Sequence, residues 1–308
     1  MTGVDICVCT FQRDSVIETL ASLMALEVPA GTAVRVIVVD NDVSPSTQAR
    51  VAAFAEQAPL PIRYLHAPAG NISVARNAAL DAAEGRFVAF IDDDETATPG
   101  WLAALLQEST TSGVAVVLGP VAPEFDASAP AWVRAADLHA TRPVWRKGEI
   151  CTGYTCNVLI DRTHPALATR RFDPMLGQTG GEDTDFFGAA HRDGARIAFA
   201  PDAVVTEAVP PIRTSFQWLA RRRYRMGQTH AHVLTTRLGQ RRLRALPVAF
   251  AKALACAGLA LVMLPIAHRR NTAFLRAALH LGVVAGLAGH GGLKLYGLTQ
   301  PIDGVHAK

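Results

Sequence analysis

The sequence predicts an α/β fold in which a mostly parallel sheet carries flanking helices on both faces. The first observation is a series of short apolar runs rich in Val and Ile, among them VDICVCT, VRVIVVD and VAVVLG. The second is that segments with apolar residues at helical spacing separate these runs along residues 1–118. Strands that are apolar along their whole length are buried on both faces, and their alternation with helices favours parallel neighbours.

Each element follows from its own local pattern. Strands are expected at 4–10, 34–40, 61–67, 86–92 and 114–119, and helices at 15–28, 46–57, 72–85 and 101–110. In the third helix Ser73 is a candidate N-cap and Gly85 is a candidate stop. Beyond residue 120 the pattern weakens; the expected elements there are a strand at 152–160, a helix from 181, strands within 196–205 and a basic helix at 214–234.

Composition limits the possible function classes. A net charge of +3 over 308 residues gives no indication of nucleic-acid binding. Cys151 and Cys156 have no matching Cys or His pair at zinc-site spacing, and we expect reduced thiols in a cytosolic compartment. The start of the chain has no basic region followed by an apolar stretch, so we expect no signal peptide.

Acidic residues follow two of the apolar runs. In RFVAFIDDDE the run ends in Asp92, Asp93 and Asp94, and in VRVIVVD it ends in Asp40. In parallel sheets ligands bind outside the carboxyl ends of the strands, so these acids are expected to face a crevice and not the core. Oxygen ligands in such a group suit a divalent cation, Mg²⁺ or Mn²⁺. The alternative is a solvated acidic turn.

Six motifs occur in an order that is more specific than any one of them. They are TFQRD, VVDND, GNISVARNAAL, FIDDDE, TGYTCNVLIDR and GGEDTDF. Together they resemble the family 2 glycosyltransferases with the GT-A fold, and the resemblance covers roughly residues 4–237. Within that family the arrangement is similar to the bacterial exopolysaccharide transferases of the succinoglycan type, whose tails are also hydrophobic.

The resemblance implies a nucleotide-sugar donor site on the first motifs. Thr10, Gln12 and Asp40 are expected to contact the nucleotide, with Asp40 facing its base. Arg76 is expected to hold the nucleotide or its diphosphate. Asn157 is expected to face the sugar.

FIDDDE matches the metal-binding DxD region of the family. The resemblance implies that Asp92 lies near the ribose and that Asp94 holds the metal, with Asp92 as the other outer member of the motif. Asp93 is expected to share either task. The expected cofactor is Mg²⁺ or Mn²⁺.

GGEDTDF matches the segment that carries the catalytic base. We expect Asp183 to be the base, with Glu182 beside it touching the acceptor, and Asp185 is the second choice for the base. The implied reaction inverts the anomeric configuration, because a single carboxylate deprotonates the acceptor hydroxyl. Acids in the first turn also stabilise a helix, which is the structural alternative.

QWLARRRYRMG resembles a basic helix of the family imperfectly, since Tyr224 stands where a Trp is expected. Arg222 and Arg225 are three residues apart and share one helical face, where they could meet a donor diphosphate or a lipid phosphate. A solvated basic face is an equal alternative.

The tail differs in composition from the rest of the chain. Its segments 246–265 and 272–289 are apolar apart from one basic residue in the first, and an Arg and a His in the second, and basic residues flank both. We expect a GT-A domain at 1–237 and a membrane-associating helical hairpin at 238–308, lying on the cytoplasmic face of the inner membrane. The alternative is a buried helical subdomain of a cytoplasmic protein.

The expected function is transfer of a sugar from a nucleotide-diphosphate donor to a hydroxyl of a saccharide or lipid-linked saccharide. UDP-linked hexose is the default donor that the resemblance implies, and polysaccharide or glycolipid biosynthesis is the expected context. A non-catalytic membrane scaffold with a degenerate transferase domain is one alternative. A sugar nucleotidyltransferase is another, although CTFQRDSV lacks the Gly-rich phosphate loop of that class.

Overall fold

A computed structural model describes residues 2–236 and 242–290. The described residues form two compact units. The first comprises residues 2–123, 140–178 and 182–208, and the second comprises 124–139, 179–181 and 209–290. The expected domain boundary at 237/238 lies outside the described residues and stays a prediction.

The elements alternate between strand and helix through the first part of the chain. The strands are β1 (Thr2–Thr10), β2 (Thr32–Asp40), β3 (Ile62–His66), β4 (Phe87–Asp92), β5 (Glu95–Ala97), β6 (Val116–Leu118), β7 (Val121–Phe125), β8 (Trp145–Arg146), β9 (Glu149–Ile150), β10 (Asn157–Asp161), β11 (Ile197–Phe199) and β12 (Val205–Val209). The helices are α1 (Val16–Met24), α2 (Gln48–Ala55), α3 (Ile72–Ala82), α4 (Trp101–Ser112), α5 (Ala131–Ala136), α6 (Glu182–Arg192), α7 (Phe216–Thr236), α8 (Arg242–Val262) and α9 (Ala267–Leu287).

The main sheet has seven strands in the order β11-β6-β10-β4-β1-β2-β3. β10 pairs antiparallel with both β4 and β6, while every other neighbouring pair in this sheet is parallel. The predicted mostly parallel sheet is therefore confirmed. A smaller sheet has the order β5-β12-β7, and β8 pairs with β9.

Apolar side chains cover the main sheet on both faces. On one face the cluster includes Leu20 and Trp101, and on the other it includes Phe172 and Phe187, all with almost no exposed surface. This arrangement explains the continuous apolar runs of the sequence, because side chains on both faces of each strand are buried against packed neighbours.

Two local expectations for α3 need correction. Asn71, not Ser73, is the N-cap: its side chain accepts hydrogen bonds from the backbone of Ser73 and Val74. The helix ends at Ala82, three residues before Gly85. A Cβ on Gly85 would lie 2.8 Å from backbone atoms of Gly3, so this glycine permits a close approach to β1 and does not terminate the helix.

The expected strand at 152–160 is also shorter than predicted, since pairing begins only at Asn157. The preceding residues form the loop that enters the candidate site.

The second unit consists mainly of the helices α7, α8 and α9. α9 packs against both α7 and α8. The consecutive helices α8 and α9 form a helical hairpin, and α7 lies beside α9. Within the described residues α8 is the helix that is long and apolar enough to cross a membrane, and most of its apolar side chains are exposed. The helical hairpin expected in the tail is therefore present as α8 and α9, and one of its two helices is unusually exposed.

Candidate active site

Three neighbouring parallel strands end at the same edge of the main sheet. In the sheet register Thr10 of β1 lies opposite Asp40 of β2, and Cys9 of β1 lies opposite Asp92 of β4. β4 lies on one side of β1, whereas β2 and β3 lie on the other. Such a change of direction in the strand order leaves a crevice beyond the carboxyl ends of the strands. The topology thus brings three of the predicted site residues to one edge.

The acids that follow β4 are largely withdrawn from solvent. Burial, together with the negative charge of neighbouring acids, raises the pKa of Asp92 to about 7 and that of Asp93 to about 6. Burial also raises the pKa of Glu95, whose Oε2 accepts a hydrogen bond from the Asp92 backbone N–H at 3.0 Å. A raised carboxyl pKa means that the ionised form is destabilised. These acids are therefore placed where an added cation is favourable.

Arg13, which the sequence reading assigned no role, contacts this acidic cluster. Its Nη1 lies 3.0 Å from Asp93 Oδ1 and forms an ion pair with Asp94 Oδ2 as well. The Arg13 side chain is 36% exposed, whereas those of Asp93 and Asp94 are 8% and 23% exposed. The loop after β1 and the loop after β4 are thereby joined across the crevice.

Arg76 of α3 reaches the predicted catalytic acids. Its Nη1 donates to Glu182 Oε1 at 2.6 Å and to Asp183 Oδ1 at 2.7 Å. The positive charge of Arg76 also opposes the rise in the pKa of Asp92. The side chain is only 7% exposed. The structure therefore places Arg76 between the DxD acids and the acids of α6, and its predicted contact with the nucleotide stays a prediction.

Thr155, in the loop before β10, orients Asp183. Its Oγ1 donates to Asp183 Oδ1 at 3.0 Å, and its backbone N–H lies 3.3 Å from Asp183 Oδ2. The Asp183 side chain is 24% exposed, so the carboxylate is held without being enclosed. This combination suits a group that must meet an incoming hydroxyl in a fixed orientation.

Glu182 and Asp185 stand beside Asp183 in the first turn of α6. Burial and the negative charge of Asp183 raise the pKa of Glu182 despite its ion pair with Arg76. Asp185 is half-buried. The negative charge of Asp183 also raises the pKa of Asp92, which places this acid electrostatically close to the DxD segment.

Asp40 is fully buried and is used by the protein itself. Its Oδ2 accepts hydrogen bonds from Thr47 and from the Tyr64 hydroxyl, and its Oδ1 accepts one from the backbone N–H of Asp42. Burial raises the pKa of Asp40, but these hydrogen bonds outweigh it and leave the pKa below its ordinary value. Asp40 therefore shapes the loop after β2, and its predicted contact with the base stays a prediction.

Gln12 and Asp42 connect the loops after β1 and β2. Gln12 Nε2 donates to Asp42 Oδ1 at 2.8 Å, and Gln12 has a φ of 53°, in the left-handed region that few side chains adopt. Thr10, at the end of β1, is buried and lies opposite Asp40 in the sheet register. Thr10 and Gln12 therefore border the predicted nucleotide site.

Asn157 has no exposed surface in the structure. Its Oδ1 accepts a hydrogen bond from Trp101 Nε1 at 2.8 Å, and its Nδ2 donates to the carbonyls of Pro120 and Ala203 at 2.9 and 2.8 Å. The side chain is buried and bonds protein groups, and its predicted contact with the sugar stays a prediction.

Three residues of the site were missed from the sequence: Arg13, Asp42 and Thr155. Arg13 and Asp42 stand within the quoted motifs TFQRD and VVDND, so their position was visible although their partners were not. Thr155 lies 28 residues before Asp183, and no local pattern connects the two.

Sequence comparisons identify the family. Residues 5–164 match the profile of "Glycosyl transferase family 2", and residues 87–288 match that of "Glycosyl transferase family group 2". The chain is also 49% identical over 298 residues to the succinoglycan biosynthesis protein ExoM of Rhizobium meliloti (strain 1021), covering 96% of each chain. The chain belongs to glycosyltransferase family 2. It is accordingly a glycosyltransferase.

Solved structures show the same fold as this glycosyltransferase. A mannosyltransferase from Pyrobaculum calidifontis, solved with GDP-Man and Mn²⁺, is 22% identical with a TM-score of 0.63, covering 92% of this chain and 86% of that one. Residues 1–349 of S. aureus TarS, solved with UDP-GlcNAc, are 14% identical with a TM-score of 0.53, covering 93% and 92%. The chain spans 54% of a longer TarS chain. The predicted GT-A fold is confirmed.

The acids after β4 fit the divalent cation expected in a glycosyltransferase of this fold. Asp92, Asp93 and Asp94 offer oxygen ligands, the type that Mg²⁺ and Mn²⁺ prefer. Burial, with the negative charge of neighbouring acids, raises the pKa of Asp92 and Asp93, and a bound cation would stabilise their ionised forms. The assignment of Asp92 and Asp94 as metal ligands stays a prediction.

The basic helix α7 of the glycosyltransferase lies in the second unit. The Arg222 guanidinium lies 5.5 Å from the centre of the Trp218 ring, and its Nη1 lies 3.5 Å from His139 Nδ1. Burial and the positive charge of Arg222 lower the pKa of His139 to about 4. Arg225 is half-buried on the same helix. The predicted contacts of Arg222 and Arg225 with phosphate stay predictions.

Proposed function

We propose that this glycosyltransferase moves a hexose from a UDP-linked donor to a hydroxyl of a saccharide or lipid-linked saccharide during exopolysaccharide assembly. The observation that carries the proposal is the group formed by Arg76, Glu182 and Asp183 next to Asp92 at the end of β4. The 49% identical relative is a succinoglycan biosynthesis protein, which supports an exopolysaccharide context. TarS bound to UDP-GlcNAc supports a UDP donor, and the mannosyltransferase bound to GDP-Man makes GDP the competing choice.

The chain's own residues perform three tasks in the proposed reaction. Thr10, Gln12 and Asp40 shape the nucleotide site at the ends of β1 and β2. Arg76 lies beside Asp92, where the leaving nucleoside diphosphate develops negative charge, and it stabilises that charge. A divalent cation held by Asp92 and Asp94 supplies further charge stabilisation for the diphosphate when it is bound.

Asp183 is the proposed base. Its Oδ2 receives only a long hydrogen bond from Thr155 N–H, so this oxygen is the better placed of the two to accept the acceptor's hydroxyl proton. The deprotonated oxygen attacks the anomeric carbon on the face opposite the diphosphate, which inverts the configuration. Glu182 is buried against Arg76 and holds the guanidinium in place. We also expect it to contact the acceptor.

We place the protein on the cytoplasmic face of the inner membrane, attached through the tail. The exposed apolar surface of α8 supports this placement, and so do the exposed basic residues Arg242 and Arg244 at its start. A lipid-linked acceptor is consistent with such a position.

A thermal-shift series on the purified protein tests the donor site. UDP, GDP, dTDP and CMP are each added with and without Mn²⁺, because a ligand that binds only the folded state raises the melting temperature. We expect UDP with Mn²⁺ to give the largest rise and Asp94→Asn to abolish it. A larger rise with GDP would replace the proposed donor, and no rise with any nucleotide would favour the non-catalytic scaffold.

Sugar transfer by Asp183→Asn tests the base separately. We expect turnover to fall by about 10²- to 10⁴-fold, while the rise in melting temperature with UDP and Mn²⁺ is retained. Asp185→Asn is the matched variant in the same turn, and a greater loss of turnover in Asp185→Asn than in Asp183→Asn would transfer the role to Asp185.

A further inference from the structure

We propose that Arg13 is a resident counter-ion of the acidic cluster, which a divalent cation displaces and which then binds the donor diphosphate. The inference rests on the proposed donor site and adds a coupling between metal and nucleotide binding. Its basis is the double ion pair of Arg13 with Asp93 and Asp94.

A single nitrogen of Arg13 serves both carboxylates. Nη1 lies 3.0 Å from Asp93 Oδ1 and also pairs with Asp94 Oδ2. The negative charges of Asp93 and Asp94, and of Asp92 beside them, raise the pKa of Arg13 against the effect of burial. Arg13 is therefore held mainly by the acids that the proposed metal site requires.

Arg13 and a metal ion compete for the same oxygen-rich cluster. Asp94, the proposed metal ligand, directs its Oδ2 at Arg13, and a divalent cation bound there would repel the guanidinium at short range in a partly buried site. Metal binding thus requires Arg13 to give up at least its contact with Asp94.

The side chain of Arg13 is able to move without a change in the backbone. It is 36% exposed, whereas Arg76 is 7% exposed and fixed between Glu182 and Asp183. The adjacent Gln12 is anchored to Asp42, which holds the loop in place. The two arginines therefore differ: Arg76 is buried between acids of α6, whereas Arg13 is partly exposed beside the acidic cluster.

A released guanidinium at this position faces the space where the diphosphate is proposed to bind. A planar guanidinium forms paired hydrogen bonds with phosphate oxygens, so the donor gives Arg13 a new partner. Metal binding alone breaks the ion pair between Arg13 and Asp94 and leaves Arg13 without a new partner. When UDP also binds, its diphosphate gives Arg13 that partner. Binding of either ligand then favours the other, and the coupling is reciprocal.

Titration of the full-length protein with Mn²⁺, with free Mn²⁺ followed by electron paramagnetic resonance, tests the inference without any turnover. In the absence of nucleotide, we expect Arg13→Gln to bind Mn²⁺ at least about 5-fold more tightly than the parent. In the presence of UDP this advantage should shrink or reverse, because the variant cannot contact the diphosphate. Arg13→Lys, which keeps the charge, should stay close to the parent without nucleotide.

Two further variants define the background. Arg50→Gln removes an exposed ion pair with Asp14, near the same loop, and should leave Mn²⁺ affinity unchanged. Cys151→Ser, made in every protein of the series, removes one member of a separate group of possible ligands, Glu149, Cys151 and His191, whose ligand atoms lie within 4.8 Å of one another.

The outcomes separate this inference from the proposed function. If Asp94→Asn abolishes Mn²⁺ binding but Arg13→Gln binds Mn²⁺ equally or more weakly than the parent, Arg13 merely positions the acids and the inference is wrong. If Asp94→Asn leaves Mn²⁺ binding unchanged, the proposed metal site fails, and the inference fails with it. Tighter binding by Arg13→Gln that persists undiminished with UDP would contradict the diphosphate contact.

Discussion

At the residue scale, Asn157 shows how one buried polar side chain positions several segments of the first unit. Its amide joins the α4 residue Trp101 to the backbone at Pro120 and Ala203, through three hydrogen bonds of 2.8 to 2.9 Å. A buried donor or acceptor that loses its partner costs about 1–3 kcal/mol. Asn157 is therefore important to stability whether or not it influences the sugar.

Asn157→Ala should lower the free energy of unfolding by about 2–4 kcal/mol, because the buried Trp101 indole N–H and the Ala203 carbonyl lose their partner, while the Pro120 carbonyl keeps its hydrogen bond from the Val205 backbone N–H. Denaturant unfolding measures this loss. We expect UDP and Mn²⁺ still to raise the melting temperature of the variant, since the amide bonds protein groups only.

Gln178→Ala is the control, because Gln178 makes one long hydrogen bond of 3.4 Å to Gly70. Parent-like stability of Asn157→Ala combined with a selective loss of sugar transfer would show that the side chain acts on the sugar directly, as the family resemblance implies.

At the element scale, small residues bring α7 and α9 unusually close together. A Cβ on Gly282 would collide with the Tyr224 carbonyl oxygen, and one on Gly227 would collide with the Leu279 carbonyl oxygen. Gly286, four residues after Gly282, likewise faces the backbone of α7. Small residues spaced four apart allow such backbone contact in helix pairs. The packing of the second unit therefore depends on the absence of side chains.

Gly282→Leu should separate α7 from α9 and expose this unit to proteolysis. We expect a lower melting temperature, with a loss of stability of at least about 3 kcal/mol, since the leucine has no space between the backbones. Thermal unfolding and limited proteolysis measure the two effects.

Gly258→Leu provides a matched change in α8, where a Cβ meets nothing within 4 Å. It should leave both measurements close to those of the parent. Equal destabilisation by the two variants would mean that the close approach of α7 and α9 is unimportant.

At the scale of the whole molecule, the chain combines a polar enzymatic site with an apolar helix, α8, whose apolar side chains are mostly exposed among the residues that the structure describes. The large apolar side chains of α8 that remain exposed are Leu243, Leu246, Val248, Phe250, Leu254, Leu259, Leu261 and Val262. An exposed apolar surface of this kind, with Arg242, Arg244 and Arg269 nearby, is typical of a helix that lies at a membrane interface.

Replacement of Leu254 and Leu261 by Glu should weaken binding to vesicles by at least about tenfold, because two apolar side chains that would be buried in the membrane interface are replaced by charged ones. Co-sedimentation with phosphatidylcholine vesicles, with and without phosphatidylglycerol, measures the binding. We expect the parent to prefer the anionic vesicles and to resist release by salt alone.

Met175→Glu serves as the control, since Met175 is 84% exposed and belongs to the first unit. Release of the parent protein by salt alone, or vesicle binding by the double variant at the parent level, would contradict an apolar attachment through α8.

The sequence by itself determined the order of strands and helices, the family and the edge of the sheet at which the acids lie. These features depend on periodicity and on motifs whose members are close in the chain. The apolar strands need burial on both faces, and the acids that follow them then fall at the carboxyl ends. The exposed character of α8 was also indicated, because its composition is apolar between basic flanks.

Only the tertiary structure decided which charged groups are partners. Arg13 meets Asp93 and Asp94 across 80 residues of chain, and Arg76 meets Glu182 across 106. Ion pairs and hydrogen bonds at such separations produce no periodic pattern in the sequence, because they depend only on which distant segments the fold brings into contact. For the same reason Asn157, which the motif placed at the sugar, bonds Trp101 and two carbonyls that no local pattern connects to it.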